Sequence, residues 1–521
     1  MSPRTPVLDA NAADKQLSLW PLSASSRTRR FAILFGSALA LWMALFLVLP
    51  ADLPFSSDQN SYIAGAAALK SGHGYRFEPY INLPPIGMYP PGHSIWLACF
   101  WKNGQPISAN SYRLEIANWL AAGAALIGLA CCLFISELPA WLGWALLMSF
   151  GTSQIFTQLT VELMSDVLFT AGTCALALLV AGYDSHSSNR KLVAWWLCAS
   201  LLTGVLCLVK FAAVALGAGL VAFGVWKGDL RRPSRLAGFA LPPILMALWL
   251  LHTRGVPIYS TFVNVPNFSR LAGHVFLAAT FALLYGSERW LVTVLLNVPD
   301  RLPLAHAFQH ISALAQGLVF ILGLVAFALP IFLGIRKGPR QPQDRIVLCL
   351  LGAYALELVL WPYHDGPRFG IPVIPFLLIF LWRGLPSKAA QVALTMLLAV
   401  NIPGNAWLSY KFIHRQQEES IQSLAELREA ANWINASAGT GSLVASGRDV
   451  PLAHLYEYLG RRMLANPGPN DLSASFDVTP AAQGNLRADY IVTGAFVTPG
   501  QRYHVERRFG HWMVLAPSEH P

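Results

Sequence analysis

The chain has 521 residues, of which 55% are hydrophobic and only 12% are charged, whereas an average soluble domain has about 25% charged residues. This composition argues against an ordinary soluble protein, which would expose large apolar patches, and indicates a polytopic membrane protein. The formal net charge is +10. Most Lys and Arg residues lie in short breaks between apolar segments rather than along a basic stripe, so we expect no nucleic acid partner.

The first apolar segment covers residues 31–50 and follows Arg27, Arg29 and Arg30. It is long enough to span a bilayer and lacks a small-residue cleavage site, so we predict a retained helix. Residues 1–30 then form a cytoplasmic N-terminal tail. The seven cysteines lie almost entirely in apolar runs and show no metal-binding spacing, which favours a role as small core residues.

Apolar runs along the chain predict about eleven transmembrane helices. Their approximate bounds are 31–50, 114–135, 139–159, 161–183, 192–209, 211–226, 236–252, 311–334, 346–361, 369–383 and 389–408. The breaks that alternation assigns to the cytoplasm are all basic, as the positive-inside rule requires. The outer loops 51–113 and 253–310 and the C-terminal tail then face the other side. Two apolar stretches within 253–310 are too short to be assigned as spans.

The tail changes character after the last span. Residues 415–437 carry apolar side chains at helical spacing, and the segments 441–447, 488–494 and 511–517 have the pattern of short strands. The predicted architecture is therefore an all-α polytopic membrane domain, residues 31–410, followed by a small extracytoplasmic α/β domain, residues 411–521.

Ionisable residues gather at the predicted outer ends of the spans. A charge at the bilayer centre costs about 2.5–3.5 kcal/mol on insertion scales, so such residues indicate function. Their clustering on one side predicts a polar cavity at the outer leaflet. Its candidate members are Asp58, Tyr62, Tyr89, His93, Glu162, Asp166, Lys210, Asp365 and Arg368.

Asp58 begins the sequence "DQNSYIAGAAALKSG", which predicts an amphipathic helix with the acid in its first turn. Asp58 could cap this helix, since an acid there is favoured by the helix dipole, or it could act as a general base beside the cavity. Tyr62 is expected on the same helix face. Further along, Pro90 and Pro91 stiffen a turn that fixes Tyr89 and His93.

Three other segments carry the remaining charges. Glu162 and Asp166 are predicted on one helix face, where they suit sugar hydroxyls or a divalent cation, or simply form an acidic first turn. Lys210 is flanked by apolar residues and is either a snorkelling lysine or a phosphate ligand. Arg368, with Asp365 close by, is either an interfacial anchor or a bidentate phosphate ligand.

The sequence contains neither GxxxxGK[ST] nor a GxGxxG after a strand, so no ATP site is predicted. No cofactor is required by any motif, and a divalent cation is the only candidate. A group to be transferred must then arrive already activated.

The order of these motifs resembles a known family. It comprises an early acid in an outer loop, a "GHGY" turn, "YPPG", "TVELMSD", "GVLCLVK" and "GPRFGIPVIP", followed by an outer α/β domain. This order resembles the GT-C glycosyltransferases, in the branch of the protein O-mannosyltransferases and aminoarabinose transferases. The resemblance covers residues 30 to 410.

The resemblance implies a bacterial enzyme of the cytoplasmic (inner) membrane. It would transfer a sugar from a polyprenyl-phosphate donor to a lipid, glycan or protein acceptor on the outer face. It also implies that Asp58 deprotonates the acceptor, and that Lys210 and Arg368 hold the donor phosphate. Tyr62, Tyr89 and His93 would line the cavity.

Two positions depart from the aminoarabinose transferases. Gln59 follows Asp58 where they usually have Glu, and Tyr89 stands before the Pro-Pro pair where they tend to have Lys. Both differences speak against an aminoarabinose donor. A multi-span transporter or lipid flippase is the alternative from another class, although the chain lacks detectable repeat symmetry. A membrane scaffold would leave the charges at the outer edge unexplained.

Overall fold

The structure is a computed structural model of the whole chain. The residues that it describes are 24–47, 49, 58–81, 83–87, 89–136, 138–184, 187–227, 244–245, 247–249, 251, 329–336, 342–360, 368, 370–438, 441–447, 450–463, 488–495 and 503–518. The predicted loop 253–310 lies outside these residues. Asp365 and most of the predicted span 311–334 also lie outside them.

Helices form most of the described chain. In chain order they are α1 (Ala24–Phe46), α2 (Asp58–Lys70), α3 (Gly92–Ala98), α4 (Ile107–Ile135), α5 (Ala140–Gly151), α6 (Gln154–Val161), α7 (Ser165–Ala181), α8 (Asn189–Val209), α9 (Ala213–Lys227), α10 (Pro342–Leu360), α11 (Ile374–Gly384), α12 (Lys388–Ser437) and α13 (Leu452–Leu459). The strands are β1 (Val444–Ser446), β2 (Tyr490–Gly494), β3 (Tyr503–Phe509) and β4 (Trp512–Pro517).

Within these residues, four helices are long and apolar enough to cross a membrane: α1 from Ser26 onward, α4, α8 and α12. The pair α6 and α7 makes a fifth if it is counted as one bent span. A mostly helical membrane protein with a small C-terminal sheet is therefore confirmed. The count of about eleven spans stays a prediction.

Helices α1 and α4 pack antiparallel, which fixes the side on which the first loop lies. Arg30, near the start of α1, donates to the Leu133 carbonyl at the end of α4, with an N–O distance of 2.8 Å. Trp42 and Trp119, at the opposite ends, stack with ring centroids 4.5 Å apart and each donates to the other's carbonyl. The segment between α1 and α4 therefore leaves and re-enters the bundle on one side.

That segment contains α2 and α3, which lie between membrane-spanning segments rather than within them. The predicted helix beginning at Asp58 is confirmed. Its predicted amphipathic character is wrong, because every residue from Gln59 to Ala68 is buried. The small side chains of α2 permit this close packing: a Cβ on Gly65 would lie 2.5 Å from the Tyr75 ring. Helix α13 of the C-terminal domain covers part of α2.

The predicted spans 139–159 and 161–183 are broken differently in the structure. Helix α6 ends at Val161, Leu163 adopts a positive φ of 50°, and α7 starts at Ser165 after a bend of 115°. The prediction that Glu162 and Asp166 share one helix face is therefore wrong. The bend places the start of α7 beside α2 and α3.

The C-terminal domain contains a four-stranded mixed sheet in the order β1-β2-β4-β3, with β1 and β2 parallel and the other pairs antiparallel. The three predicted strands correspond to β1, β2 and β4, whereas β3 was not predicted. The end of α12 and helix α13 pack on this sheet around a core that includes Leu427, Ile434 and Val492. Because α12 is one continuous helix, the predicted boundary at residue 411 falls inside it.

Candidate active site

Asp58 is held by two side chains from distant parts of the sequence. Its Oδ2 lies 3.1 Å from Nη1 of Arg368, which precedes α11, and its Oδ1 accepts a hydrogen bond from the Tyr89 hydroxyl just before α3. The side chain of Asp58 is 13% exposed. A carboxylate in this setting is oriented by a charged and a neutral donor, which fixes its lone pairs.

Tyr89 is a neutral donor to this carboxylate. Burial raises the pKa of Tyr89 well above its ordinary value, and the neighbouring Asp58 carboxylate raises it further. Burial also raises the pKa of Tyr62, whose ring centroid lies 5.1 Å from that of Tyr89. Both hydroxyls therefore keep their protons at physiological pH and are available as hydrogen-bond donors.

A second ion pair lies next to the first. Tyr62 forms a 3.0 Å hydrogen bond with Ser165, the residue that precedes Asp166 in the first turn of α7. Asp166 accepts from the Lys210 ammonium, and both side chains are largely buried, with 3% and 11% exposed. Tyr62 thus connects the Asp58–Arg368 pair to the Asp166–Lys210 pair.

Lys210 reaches this position because α8 ends immediately before it. The residue is extended, with φ of −152°, while its backbone N–H still bonds to the Leu206 carbonyl. The side chain turns back toward α7 from the junction of α8 and α9. Arg368 and Asp58 both lie within electrostatic range of the Lys210 ammonium. The cations Lys210 and Arg368 are therefore close to each other and to Asp58.

Glu162 occupies the bend between α6 and α7. Its Oε1 accepts from Nε2 of Gln158 at 2.7 Å and from Nε2 of Gln416, on α12, at 3.3 Å. The two acids therefore have different partners, because Asp166 is paired with Lys210 and Glu162 with two glutamines. No group of three His, Cys, Asp or Glu side chains suited to a metal occurs within the part of the chain that the structure describes.

His93 is fully buried beneath Tyr62, with its ring edge-on to the Tyr62 ring at 4.8 Å. Its Nε2 lies 2.9 Å from the Leu163 carbonyl, so this nitrogen carries the proton and donates. Burial lowers the pKa of His93 to about 4. The neutral imidazole therefore supports the bend at Leu163.

Eight of the nine predicted residues thus belong to one region or contact it, and Asp365 lies outside the described residues. Sequence reasoning missed Ser165, Gln158 and Gln416, whose roles depend on contacts that no local pattern indicates. It also missed Asn60, which fixes the helix that carries Asp58. The Asn60 amide donates to the Val450 carbonyl at 2.9 Å, and its oxygen accepts from Leu452 N at 3.0 Å.

Solved structures with a similar fold were found over nearly the whole chain. The fold matches ArnT from Cupriavidus metallidurans in the apo state with a TM-score of 0.53 at 13% identity, covering 95% of this chain and 98% of that one. The same enzyme bound to undecaprenyl phosphate matches with a TM-score of 0.50 at 13% identity, over 96% and 99% of the two chains.

An Archaeoglobus fulgidus oligosaccharyltransferase in complex with Zn and sulfate matches with a TM-score of 0.54 at 13% identity, over 89% of this chain and 68% of that one. The chain has the GT-C fold. No protein-family model matches the sequence, and no curated protein matches it either. At this identity, the GT-C likeness establishes the fold, and any activity must be argued from the side chains described above.

Proposed function

We propose that the protein is a membrane glycosyltransferase that moves a sugar from a polyprenyl-phosphate donor to a lipid, glycan or protein acceptor. The observation that carries the proposal is the contact of Asp58 with Arg368 and Tyr89, beside the Asp166–Lys210 pair, in a chain with the GT-C fold. An acid and two cations from three separate segments meet there, as the sequence resemblance implies.

The donor phosphate is the proposed ligand of the two cations. One of the solved structures with the same fold contains undecaprenyl phosphate, and a sugar phosphodiester of this kind carries one negative charge. When the bond to the sugar breaks, the departing phosphate gains a second charge. Arg368 and Lys210 would stabilise that charge as it develops, which is the usual source of catalysis by fixed cations.

Asp58 is the proposed base. It would take the proton of the acceptor hydroxyl as the oxygen attacks the anomeric carbon, the new C–O bond would form, and polyprenyl phosphate would leave from the opposite face. Direct displacement inverts the configuration at that carbon. Because the phosphate would compete with Asp58 for Arg368, donor binding would weaken the contact between Asp58 and Arg368.

The remaining side chains have proposed supporting roles. Tyr89 would keep the Asp58 carboxylate oriented through its neutral hydroxyl, where the aminoarabinose transferases tend to have Lys. Tyr62 and His93 would shape the wall behind Asp58. Glu162, oriented by its two glutamine partners, would accept hydrogen bonds from sugar hydroxyls. Asp365 keeps its proposed place beside Arg368.

The proposed setting is the bacterial cytoplasmic membrane, with the N-terminus in the cytoplasm and the site on the outer side. A common side for α2, α3 and the C-terminal domain is supported by the hydrogen bond that Glu457 of α13 accepts from Ile107 N at the start of α4. The basic breaks predicted for the cytoplasm support assigning that side to the exterior.

The test is a transfer assay with polyprenyl-phosphate sugars on the full chain. Asp58→Asn should lose transfer by about 100-fold or more, as expected for removal of a general base, while donor binding is retained. Asp344→Asn is the matched control, because Asp344 also pairs with an arginine, Arg383, at 3.1 Å. It should transfer normally. Normal transfer by Asp58→Asn would remove Asp58 from the reaction.

The same preparations distinguish the alternative, a transporter or lipid flippase. Proteoliposomes with labelled polyprenyl-phosphate sugar would show movement of intact donor between leaflets if the alternative holds. Movement without any sugar transfer, in wild type and in Asp58→Asn alike, would replace the glycosyltransferase proposal.

A further inference from the structure

A cavity lies behind the helix that carries Asp58. Its volume is about 330 Å³, and it is lined by α2 and the segment that follows it, the segment between α3 and α4, and α13 of the C-terminal domain. Ile63, Ala64 and Ala67 form its α2 wall. At about 3.6 residues per turn, these positions lie on the face of α2 roughly opposite Asp58 and Tyr62. The cavity is therefore separated from the Asp58 site by the thickness of a helix.

Two aromatic side chains contribute to the walls. Trp101 comes from the segment between α3 and α4, and Tyr456 comes from α13; both are half-buried. Aromatic rings present flat apolar faces with a polar edge, and they bind ligands that combine apolar and hydrogen-bonding surface. The C–H faces of a pyranose ring are such a surface.

Hydrogen-bonding groups of both kinds surround these rings. Glu78 is held by Arg462 at 2.9 Å and by His73 at 2.7 Å, and Glu457 accepts from Ile107 N. Each carboxylate is thus fixed in place, yet it has about four acceptor sites and retains some of them for a ligand. Lys102, Asn103 and Gln105 also line the cavity and can donate hydrogen bonds.

We propose that this cavity binds a sugar residue of the acceptor, and that the acceptor is therefore a glycan. A sugar hydroxyl both donates and accepts, so it matches a cavity lined by fixed carboxylates together with amide and ammonium donors. The proposal rests on the proposed glycosyltransferase function. Because α2 separates the cavity from Asp58, by about 10 Å, the sugar bound here is not the one that is glycosylated. It is another unit of the same glycan.

Both walls of the cavity are connected to the reaction site. Asn60, in the first turn of α2, bonds to Val450, which precedes α13, and to Leu452, the first residue of α13. Occupation of the cavity would therefore brace α2 between the ligand and the C-terminal domain and hold Asp58 in place. Recognition of the glycan and positioning of the base then depend on the same contacts.

Direct binding tests the cavity without any transfer reaction. Maltotriose, chitotriose and mannotriose serve as probes in saturation-transfer NMR on the full chain in lipid nanodiscs, since maltoside detergents carry a disaccharide themselves. We expect wild type and Asp58→Asn to bind at least one probe equally well. Trp101→Ala should lose that binding, whereas Tyr410→Ala, which removes an exposed aromatic ring of α12, should keep it.

Gln105→Ala provides a second variant at an exposed position, and it should weaken the same binding about tenfold without affecting folding. Binding that survives both Trp101→Ala and Gln105→Ala, or no binding of any probe to wild type, would overturn the proposal. In transfer assays with a glycan acceptor, both variants should raise the acceptor KM about tenfold and leave kcat unchanged. Probe binding that depends on Trp101, in a protein without transfer activity, would uphold the cavity and refute only the proposed function.

Discussion

The buried pair of Lys210 and Asp166 allows structural and functional roles to be separated. Replacing Lys210 with Met leaves the buried Asp166 carboxylate, 3% exposed, without its ion-pair partner. Removing one partner of a buried ion pair costs about 3–5 kcal/mol, whereas replacing both with apolar residues of similar volume is often close to neutral. We therefore expect Lys210→Met to lower the free energy of unfolding by about 3–5 kcal/mol. The double variant Lys210→Met/Asp166→Leu should recover most of that loss.

The assay combines thermal unfolding with donor binding on the same four proteins, wild type, both single variants and the double variant. A coupling free energy of about 2 kcal/mol or more is expected between the two sites, in the upper part of the range seen for residues in contact. If Lys210 is also a phosphate ligand, the double variant should be stable yet bind polyprenyl-phosphate sugar at least tenfold more weakly. Additive losses of stability would refute the ion pair, and unchanged donor affinity in the double variant would refute the phosphate role.

Three further outcomes follow from contacts near the site. Asn60→Ala removes two buried hydrogen bonds and leaves two backbone groups unpaired, so we expect a loss of about 2–4 kcal/mol and faster proteolysis of the C-terminal domain. His93 resists protonation in the folded state, with a pKa of about 4 against about 6.5 unfolded. Stability should therefore fall as the pH drops from 6.5 toward 4, by roughly 3 kcal/mol in total, and His93→Gln should flatten this dependence in pH-dependent thermal melts. Gly92→Ala places a Cβ 2.5 Å from the backbone of α8. It should lower the free energy of unfolding by about 1–3 kcal/mol and the melting temperature with it.

Each of these outcomes has a matched comparison. Asn103→Ala removes an exposed amide that makes one 3.2 Å bond, and its effect should stay below about 0.5 kcal/mol. Gly36→Ala, inside α1 with no atom near the new Cβ, should stabilise by up to about 1 kcal/mol. Equal effects of the two asparagine variants, or of the two glycine variants, would contradict the packing described for α2 and α3. A pH dependence that persists in His93→Gln would assign the titration to another group.

Local patterns were sufficient where local physics decides the structure. Asp58 was predicted at the start of a helix because a helix N-terminus favours an acid, and α2 begins there. The segments that became β1, β2 and β4 were short, apolar and bounded by turn residues. By contrast, β3 carries four charged or titratable side chains along an edge strand of the sheet, from His504 to Arg508. The conformation of β3 depends on its pairing with β4. The sequence of β3 alone does not indicate a strand.

The failures near the site have tertiary causes. Nothing in "TVELMSD" signals that Leu163 turns left-handed, because neither Gly nor Pro marks the break. The carbonyl of Leu163 is instead held by the buried His93, which is 70 residues distant in the sequence. The burial of α2 on both faces depends on α13, almost 400 residues later. The proximity of Asp58, Lys210 and Arg368 was predicted from the charge bias and the family resemblance together. Neither of these indicates which of the three side chains form direct contacts.

Helix α12 runs without interruption for 50 residues, a length of about 75 Å, whereas the hydrocarbon core of a bilayer is about 30 Å thick. It packs on α5 and α6 at one end and on α13, β3 and β4 at the other. The part of α12 before Pro403 is therefore shorter than the part after it, so a small tilt at Pro403 produces a larger displacement at the C-terminal end. A tilt of about 10° around Pro403 would move the far end by about 9 Å, given the helical rise. Since helices tilt to match the thickness of the surrounding lipid, a change in bilayer thickness is expected to shift the C-terminal sheet relative to the membrane domain.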